Sequence, residues 1–135
     1  MPISNKYHRK TGDWRADLLL ILAGSIVIII AFGDIIPVFN ITPLGAGLDG
    51  WKNYFTPLWY IQYDSGFHFS GMNYPYGEHV LFTDNQPLFS WILGWINQHL
   101  VDIHTYTIGI LNSLELLSIL GCMYFLHRIM RRLGM

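Results

Sequence analysis

The sequence has little charge and almost no cysteine. Only 13% of its 135 residues are charged, 52% are apolar, and the formal net charge is −1. A chain this close to neutrality lacks the basic excess of nucleic-acid-binding proteins, so no nucleic-acid partner is predicted. Cys122 is the single cysteine, which excludes an internal disulfide and leaves a small hydrophobic side chain. Internal repeats and low-complexity tracts are absent too.

The apolar residues are concentrated in two long blocks. The first, "LLLILAGSIVIIIAFG" from Leu18 to Gly33, has no charge and resumes after Asp34 as "IIPVF". The second runs from Ile103 to Leu126 with one carboxylate inside it. Crossing a bilayer core takes roughly 20 apolar residues. The sequence therefore predicts a mainly α-helical membrane fold with transmembrane helices at 18–39 and 103–126.

The basic residues predict how these helices are oriented. Cations flank both blocks on their outer sides, at Lys6, Arg9, Lys10, Arg15, Arg128, Arg131 and Arg132. Between the blocks Lys52 is the only cation. Lysine and arginine near membrane helices stay on the cytoplasmic side. Residues 1–17 and 127–135 are therefore predicted to be cytoplasmic, and 40–102 to form a large extracytoplasmic loop of a multi-pass inner-membrane protein.

A cleaved signal peptide is the alternative for the first block. The basic start fits, and Ala31 to Gly33 loosely matches the small-x-small cleavage pattern. The apolar run continues past that point and exceeds a usual signal core, which favours an anchor.

The first half of the loop predicts a short amphipathic helix. Trp51, Phe55, Leu58 or Trp59, and Gln62 recur at helical spacing, and Pro57 is expected to kink the helix or open a second turn. Beyond it, Asn73 to Gly77 predicts a hairpin-like turn, followed by strand-like alternation through Val80 and Phe82.

The second half of the loop predicts another short helix, near 88–100. Asp84 or Asn85 is expected to cap it, with Pro87 in its first turn. Its apolar stretch is too short to span a bilayer, and Trp91 and Trp95 share one face. Such a helix is expected to lie along the membrane surface; a re-entrant half-span is the alternative.

The second apolar block carries a polar stripe that includes Asn112 and Glu115. A carboxylate near mid-membrane is costly when it faces lipid. This stripe is therefore expected to face further transmembrane helices, of the same or of another chain.

This arrangement resembles the N-terminal unit of GT-C class integral-membrane glycosyltransferases. The resemblance rests on the basic start, the single span, the acidic outer loop and the return to "RRLG". It also rests on the motifs "LDGWKN" and "FTDNQPLFSWIL", while "YPYGEHVLFTDNQP" is similar to a loop of uncharacterised bacterial membrane proteins near that class. The resemblance implies transfer of a sugar from a polyprenyl-phosphate carrier to an extracytoplasmic acceptor, by a longer enzyme of which this chain alone is inactive.

The resemblance implies Asp49 as the catalytic residue. An inverting transfer needs a carboxylate base, and Lys52 could neutralise phosphate or pair with Asp49. The alternative is that Asp49 caps a helix beginning at Gly50. Substrate-binding roles are predicted for a set of polar loop residues, namely Lys52, Glu78, His79, Asp84, Asn85 and Gln86.

No cofactor is predicted. A divalent metal at His68, Glu78, His79 and Asp84 is an alternative, but their spacing matches no known ligand motif. The alternative to an enzyme is a non-enzymatic two-helix membrane protein whose outer loop binds a partner.

Overall fold

The structure is a computed structural model that describes residues 14–45, 47–83 and 86–134, with only the backbone of 48 and 49. The described residues form four α-helices: α1 (Trp14–Phe32), α2 (Leu48–Tyr63), α3 (Pro87–His99) and α4 (Thr107–Arg132). Two short strands, β1 (His68–Phe69) and β2 (Glu78–His79), pair antiparallel. The prediction of a mainly helical chain is confirmed.

Two helical segments are long and apolar enough to cross a membrane. They are Trp14–Val38, in which α1 continues as a 3-10 helix over Gly33–Val38, and His104–Arg132. Only 6% and 17% of their most apolar windows are buried, whereas the core helix of a soluble protein would be mostly buried. Each helical segment extends beyond the predicted span at one end, since hydropathy marks the apolar stretch while a helix continues into polar flanks. The first begins at Trp14 rather than Leu18, and the second ends at Arg132 rather than Leu126.

The chain divides into two compact units, of which the first contains residues 14–31 and 118–134 and is called here the helix-pair unit. Within it Gly24 of α1 is buried, and a Cβ there would lie 3.0 Å from Leu120 Cδ2 and 3.0 Å from Met123 Cε. Small residues let apolar helices approach closely. Gly24 therefore allows α1 and α4 to pack closely at this position.

A cluster of charged side chains also joins α1 to α4 within the helix-pair unit. Arg128 Nη1 donates to Asp17 Oδ2 at 3.1 Å. Asp17 Oδ1 lies 3.5 Å from His127 Nε2 and 3.6 Å from Arg131 Nη1. One carboxylate of α1 is thus shared by three side chains of α4.

The second unit, Phe32–Leu117, is called here the middle unit, and its core lies where α2 packs on α3. Ile61 of α2, Leu93 of α3 and Ile103 form one buried cluster; Tyr60, Phe69 and Val80 form the other. The apolar face predicted for α2 is not the face that packs into this core, because Trp51 and Phe55 are exposed. The buried face carries Tyr54, Thr56, Pro57, Tyr60 and Ile61.

The helix starts differ from the predicted ones. The N-cap of α2 is Gly47, so Asp49 lies inside the first turn and the alternative in which it caps a helix starting at Gly50 is wrong. The N-cap of α3 is Gln86 rather than Asp84 or Asn85, with Pro87 in its first turn. Neither cap uses a side-chain hydrogen bond, so the side-chain chemistry that guided the prediction does not set these ends. Pro57 lies within one continuous helix.

The segment between α2 and α3 folds back on itself. The register pairs His68 with His79 and Phe69 with Glu78. The carbonyl of Asn73, a residue with φ +53°, accepts hydrogen bonds from the main-chain nitrogens of Tyr76 (2.9 Å) and Gly77 (3.1 Å). The predicted strand-like alternation is wrong beyond His79, because Val80–Phe82 form a 3-10 turn.

Candidate functional site

Amide side chains of α3 fix the end of α2. Asn97 Nδ2 donates to the carbonyl of Ile61 at 3.3 Å, and Gln98 Nε2 donates to that of Asp64 at 3.0 Å. Asn97 Oδ1 in turn accepts the main-chain N–H of Ile103 at 2.8 Å. Terminal helix carbonyls have no partner within the helix. These amides supply the partners and hold α2, α3 and the start of the next helical segment in register.

A cleft of about 220 Å³ opens beside this junction. It is lined by Tyr60, Gly66, Trp91, Trp95, Gln98 and His99. The Tyr60 hydroxyl donates to the carbonyl of Gly66 at 2.6 Å, which fixes one wall. Burial, with the charge of Asp64 adding to it, raises the pKa of Tyr60 above its ordinary value of 10.0, so its hydroxyl keeps its proton further into the alkaline range.

Stacked rings extend one side of the cleft into an aromatic wall, defined here as Phe67, His79 and Trp91. The ring of Phe67 stacks on His79 (5.2 Å between centroids, 11° between planes) and lies parallel to Trp91 at 6.5 Å. Trp95 stacks on His99 at 5.1 Å inside the cleft. Phe67, Trp91 and Trp95 are all exposed. The site thus presents aromatic faces together with the amide of Gln98.

Two predicted substrate-binding residues lie on β2. His79 is exposed, belongs to the aromatic wall and accepts the Leu81 N–H through Nδ1 at 3.2 Å. Glu78 is half-buried and accepts from Asn73 Nδ2 at 3.1 Å, so its carboxylate supports the turn. His79 is therefore part of the aromatic wall, and Glu78 supports the turn.

The other predicted site residues are spread over the middle unit. Lys52 is exposed on α2. Gln86 has φ +27° and uses its carbonyl to accept from Phe89 and Ser90 at the start of α3. The side chain of Asp49, and all of Asp84 and Asn85, lie outside the described residues.

Asn112 of α4, whose side chain is fully buried, is the centre of a separate hydrogen-bond network. Its Nδ2 donates to the carbonyls of Phe39 (2.7 Å) and Thr42 (2.9 Å). Its Oδ1 accepts from the Tyr54 hydroxyl (2.6 Å) and the Leu44 N–H (3.2 Å). Asn112 thus joins α4, α2 and the segment that precedes α2.

Tyr54 provides a pH-dependent test of this network. Burial, opposed by the Leu44 N–H and reinforced by the charge of Glu115, raises the pKa of Tyr54 from 10.0 to about 12. A phenol whose pKa is raised by folding contributes stability below pH 10 that is lost as pH rises through 12. Alkaline titration followed by tyrosinate absorbance should show a late-ionising group that disappears in Tyr54→Phe and shifts down in Glu115→Gln. An unchanged late phase in Tyr54→Phe contradicts the assignment.

Metal ligands do not gather in the part of the chain that the structure describes. There, no group of three histidine, cysteine or carboxylate side chains is placed to hold a metal ion. His68 and His79 face each other across the strand pair. The fourth residue of the alternative metal set, Asp84, lies outside the described range.

The sequence did not predict the roles of three aromatic residues, Tyr54, Tyr60 and Phe67. Tyr54 and Tyr60 hold the network and the cleft wall through their hydroxyls, and Phe67 centres the aromatic wall. A weak signal existed, because Tyr54 and Ile61 are separated by seven residues and so share a helical face.

Comparison of the chain with protein-family models, with curated proteins and with solved structures finds no match.

Proposed function

We propose that the chain is a multi-pass inner-membrane protein whose middle unit binds a sugar-containing ligand outside the cytoplasm. The exposure of the apolar side chains on both long helices supports the membrane part, because water would have to solvate them otherwise. The contacts of Asp17 and Gly24 with α4 support an uncleaved anchor rather than a cleaved signal peptide. Cleavage would remove α1 and leave the α4 side chains that contact it without those contacts. Orientation follows the flanking arginines, with residues 40–102 outside.

The observation that carries the ligand proposal is the cleft with its aromatic wall. Ligand sites combine aromatic surfaces with a few polar groups that fix orientation. Trp91 and Trp95 offer flat faces on which the apolar side of a pyranose ring can stack, and Gln98 offers an amide for a hydroxyl. At about 220 Å³ the cleft is below the range of about 300–1,000 Å³ typical for drug-sized ligands, which favours one sugar ring.

The activity we propose is glycosyl transfer from a polyprenyl-phosphate carrier, as the N-terminal portion of a GT-C class enzyme. Asp49, in the first turn of α2, is the proposed base, and the N-terminal end of a helix favours anions such as a carboxylate or a phosphate. Lys52 lies three residues further along the same helix. Further transmembrane helices, of this or another chain, are proposed to complete the carrier-phosphate site.

Tryptophan substitutions test ligand binding. We expect a short-chain polyprenyl-phosphate hexose to change the fluorescence of the detergent-solubilised protein. Trp91→Ala or Trp95→Ala should weaken its binding by roughly tenfold, since an aromatic stacking contact is worth about 0.5–1.5 kcal/mol and about 1.4 kcal/mol is tenfold in affinity. Trp51→Ala is the control, because Trp51 is exposed on α2 and does not line the cleft. Equal binding of the carrier phosphate without its sugar would contradict sugar recognition and favour the partner-binding alternative.

Asp49→Asn tests catalysis separately. In the protein assembled with its further helices, turnover should fall at least a thousandfold while hexose-carrier binding persists, because a neutral amide cannot accept the acceptor's proton. Asp34→Asn removes an exposed carboxylate elsewhere and should leave turnover unchanged. Full activity of Asp49→Asn removes the catalytic assignment without affecting the binding proposal.

A further inference from the structure

The end of α4 is divided into two opposite faces. Four polar side chains, His127, Arg128, Arg131 and Arg132, recur at spacings that place them on one face. The opposite face carries four exposed apolar side chains, those of Leu126, Ile129, Met130 and Leu133. A helical stretch with arginines on one face and apolar residues on the other is typical of the membrane interface.

The polar face carries more positive charge than its internal partner neutralises. Asp17 is the only carboxylate within salt-bridge distance of Arg128 and Arg131 in the part of the chain that the structure describes. A guanidinium has five N–H donors, and each of these arginines directs one nitrogen toward Asp17. Arg132 makes no ion pair with any described residue. The cluster therefore retains net positive charge and donor capacity.

Two donor atoms of the cluster are buried without an acceptor in hydrogen-bond range among the described residues. They are Arg131 Nη1 and His127 Nε2, and Asp17 Oδ1 is the corresponding acceptor without a donor. Asp17 Oδ1 lies 3.5 Å from His127 Nε2 and 3.6 Å from Arg131 Nη1, and neither contact forms a hydrogen bond. A buried donor left without an acceptor is destabilising. The side chains of Arg128 and Arg131 are still 38% and 29% exposed, so a phosphate oxygen can accept from their other N–H groups and offset the excess charge.

We propose that this arginine face binds the phosphate of an anionic phospholipid in the cytoplasmic leaflet. Asp17 orients this face, since it holds Arg128 and Arg131 on one side of α4. The other N–H donors of these arginines are left for the headgroup. The apolar face explains why the ligand is a lipid rather than free phosphate, because acyl chains can cover Ile129, Met130 and Leu133 while the arginines bind the headgroup. The inference rests on the proposed membrane orientation and is independent of sugar binding in the middle unit.

Lipid-dependent thermal stability provides the test. The purified chain in uncharged detergent is heated with phosphatidylglycerol, with phosphatidylcholine or with inorganic phosphate at equal concentration. We expect phosphatidylglycerol to raise Tm and the other two additives to leave Tm unchanged. The reason is that a ligand that binds only the folded state stabilises it. Equal stabilisation by inorganic phosphate overturns the lipid assignment, and equal stabilisation by phosphatidylcholine overturns any role for headgroup charge.

Charge substitutions locate the site. Each arginine near an anionic surface contributes about fivefold, so Arg131→Gln with Arg132→Gln should weaken phosphatidylglycerol binding by roughly thirtyfold. Arg132→Gln alone should weaken it about fivefold, and it leaves the contacts of Asp17 intact if the double variant does not fold. The control is Asn53→Asp with Gln62→Glu, which changes net charge equally at exposed positions of α2. A control that loses binding as strongly as the arginine pair overturns the site.

Discussion

Asn112→Ala should unfold the middle unit at markedly lower denaturant concentration, with a loss of about 3 kcal/mol or more in the free energy of unfolding. The side chain is fully buried and makes four hydrogen bonds. Alanine removes all of them and leaves two carbonyls, one N–H and the Tyr54 hydroxyl without that partner. Leaving a buried polar group unpaired costs about 1–3 kcal/mol. Denaturant titration in detergent, followed by circular dichroism, measures the change.

Hydrogen exchange shows where the damage begins. The amide of Leu44, which donates to both Asn112 and Tyr54, should exchange much faster in Asn112→Ala. The matched control is Ser113→Ala, because Ser113 is exposed on the same helix and donates only to the carbonyl of Gly109. It should change stability by less than about 0.5 kcal/mol. If the two alanine variants behave alike, the network does not hold the segment before α2.

Gly94→Ala should destabilise the pairing of α2 with α3 by about 1–3 kcal/mol, the usual cost of overpacking. A Cβ at Gly94 would lie 2.6 Å from Tyr60 Cε1, and the Tyr60 ring cannot turn aside without losing its hydroxyl bond to Gly66. The steric cost outweighs the gain of about 1 kcal/mol that alanine brings to a helix over glycine. Thermal unfolding and fluorescence of Trp91 and Trp95, beside the cleft, report the change together.

Gly121→Ala is the control for that substitution. Gly121 is also inside a helix, but nothing lies within 4 Å of a Cβ built there. Alanine at this position should leave stability unchanged or raise it by up to about 1 kcal/mol. Equal effects of the two substitutions would show that helix propensity, rather than contact with Tyr60, determines the result at Gly94.

The candidate site was predictable only in part. Helical spacing brought Trp91 and Trp95 to one face of α3, and that face is exposed in the structure. His79 lies in the aromatic wall, but its contacts come from Phe67, on the other arm of the strand pair. Local residue spacing does not predict such a contact, because the turn between β1 and β2 brings the two residues together.

Elements that depend on local composition follow from the order of the amino acids alone. Two long apolar runs produce two long helices, since helix length and apolar character are encoded in consecutive residues. Which face of α2 is buried, in contrast, depends on contacts with distant parts of the chain. Tyrosine can be buried when its hydroxyl finds a partner, and the partners of Tyr54 and Tyr60 are Asn112 and Gly66. Because the Tyr54–Asn112 bond joins residues 58 positions apart, the helical face that Tyr54 shares with Ile61 was too weak a local signal to select Tyr54 over Trp51 for the interior.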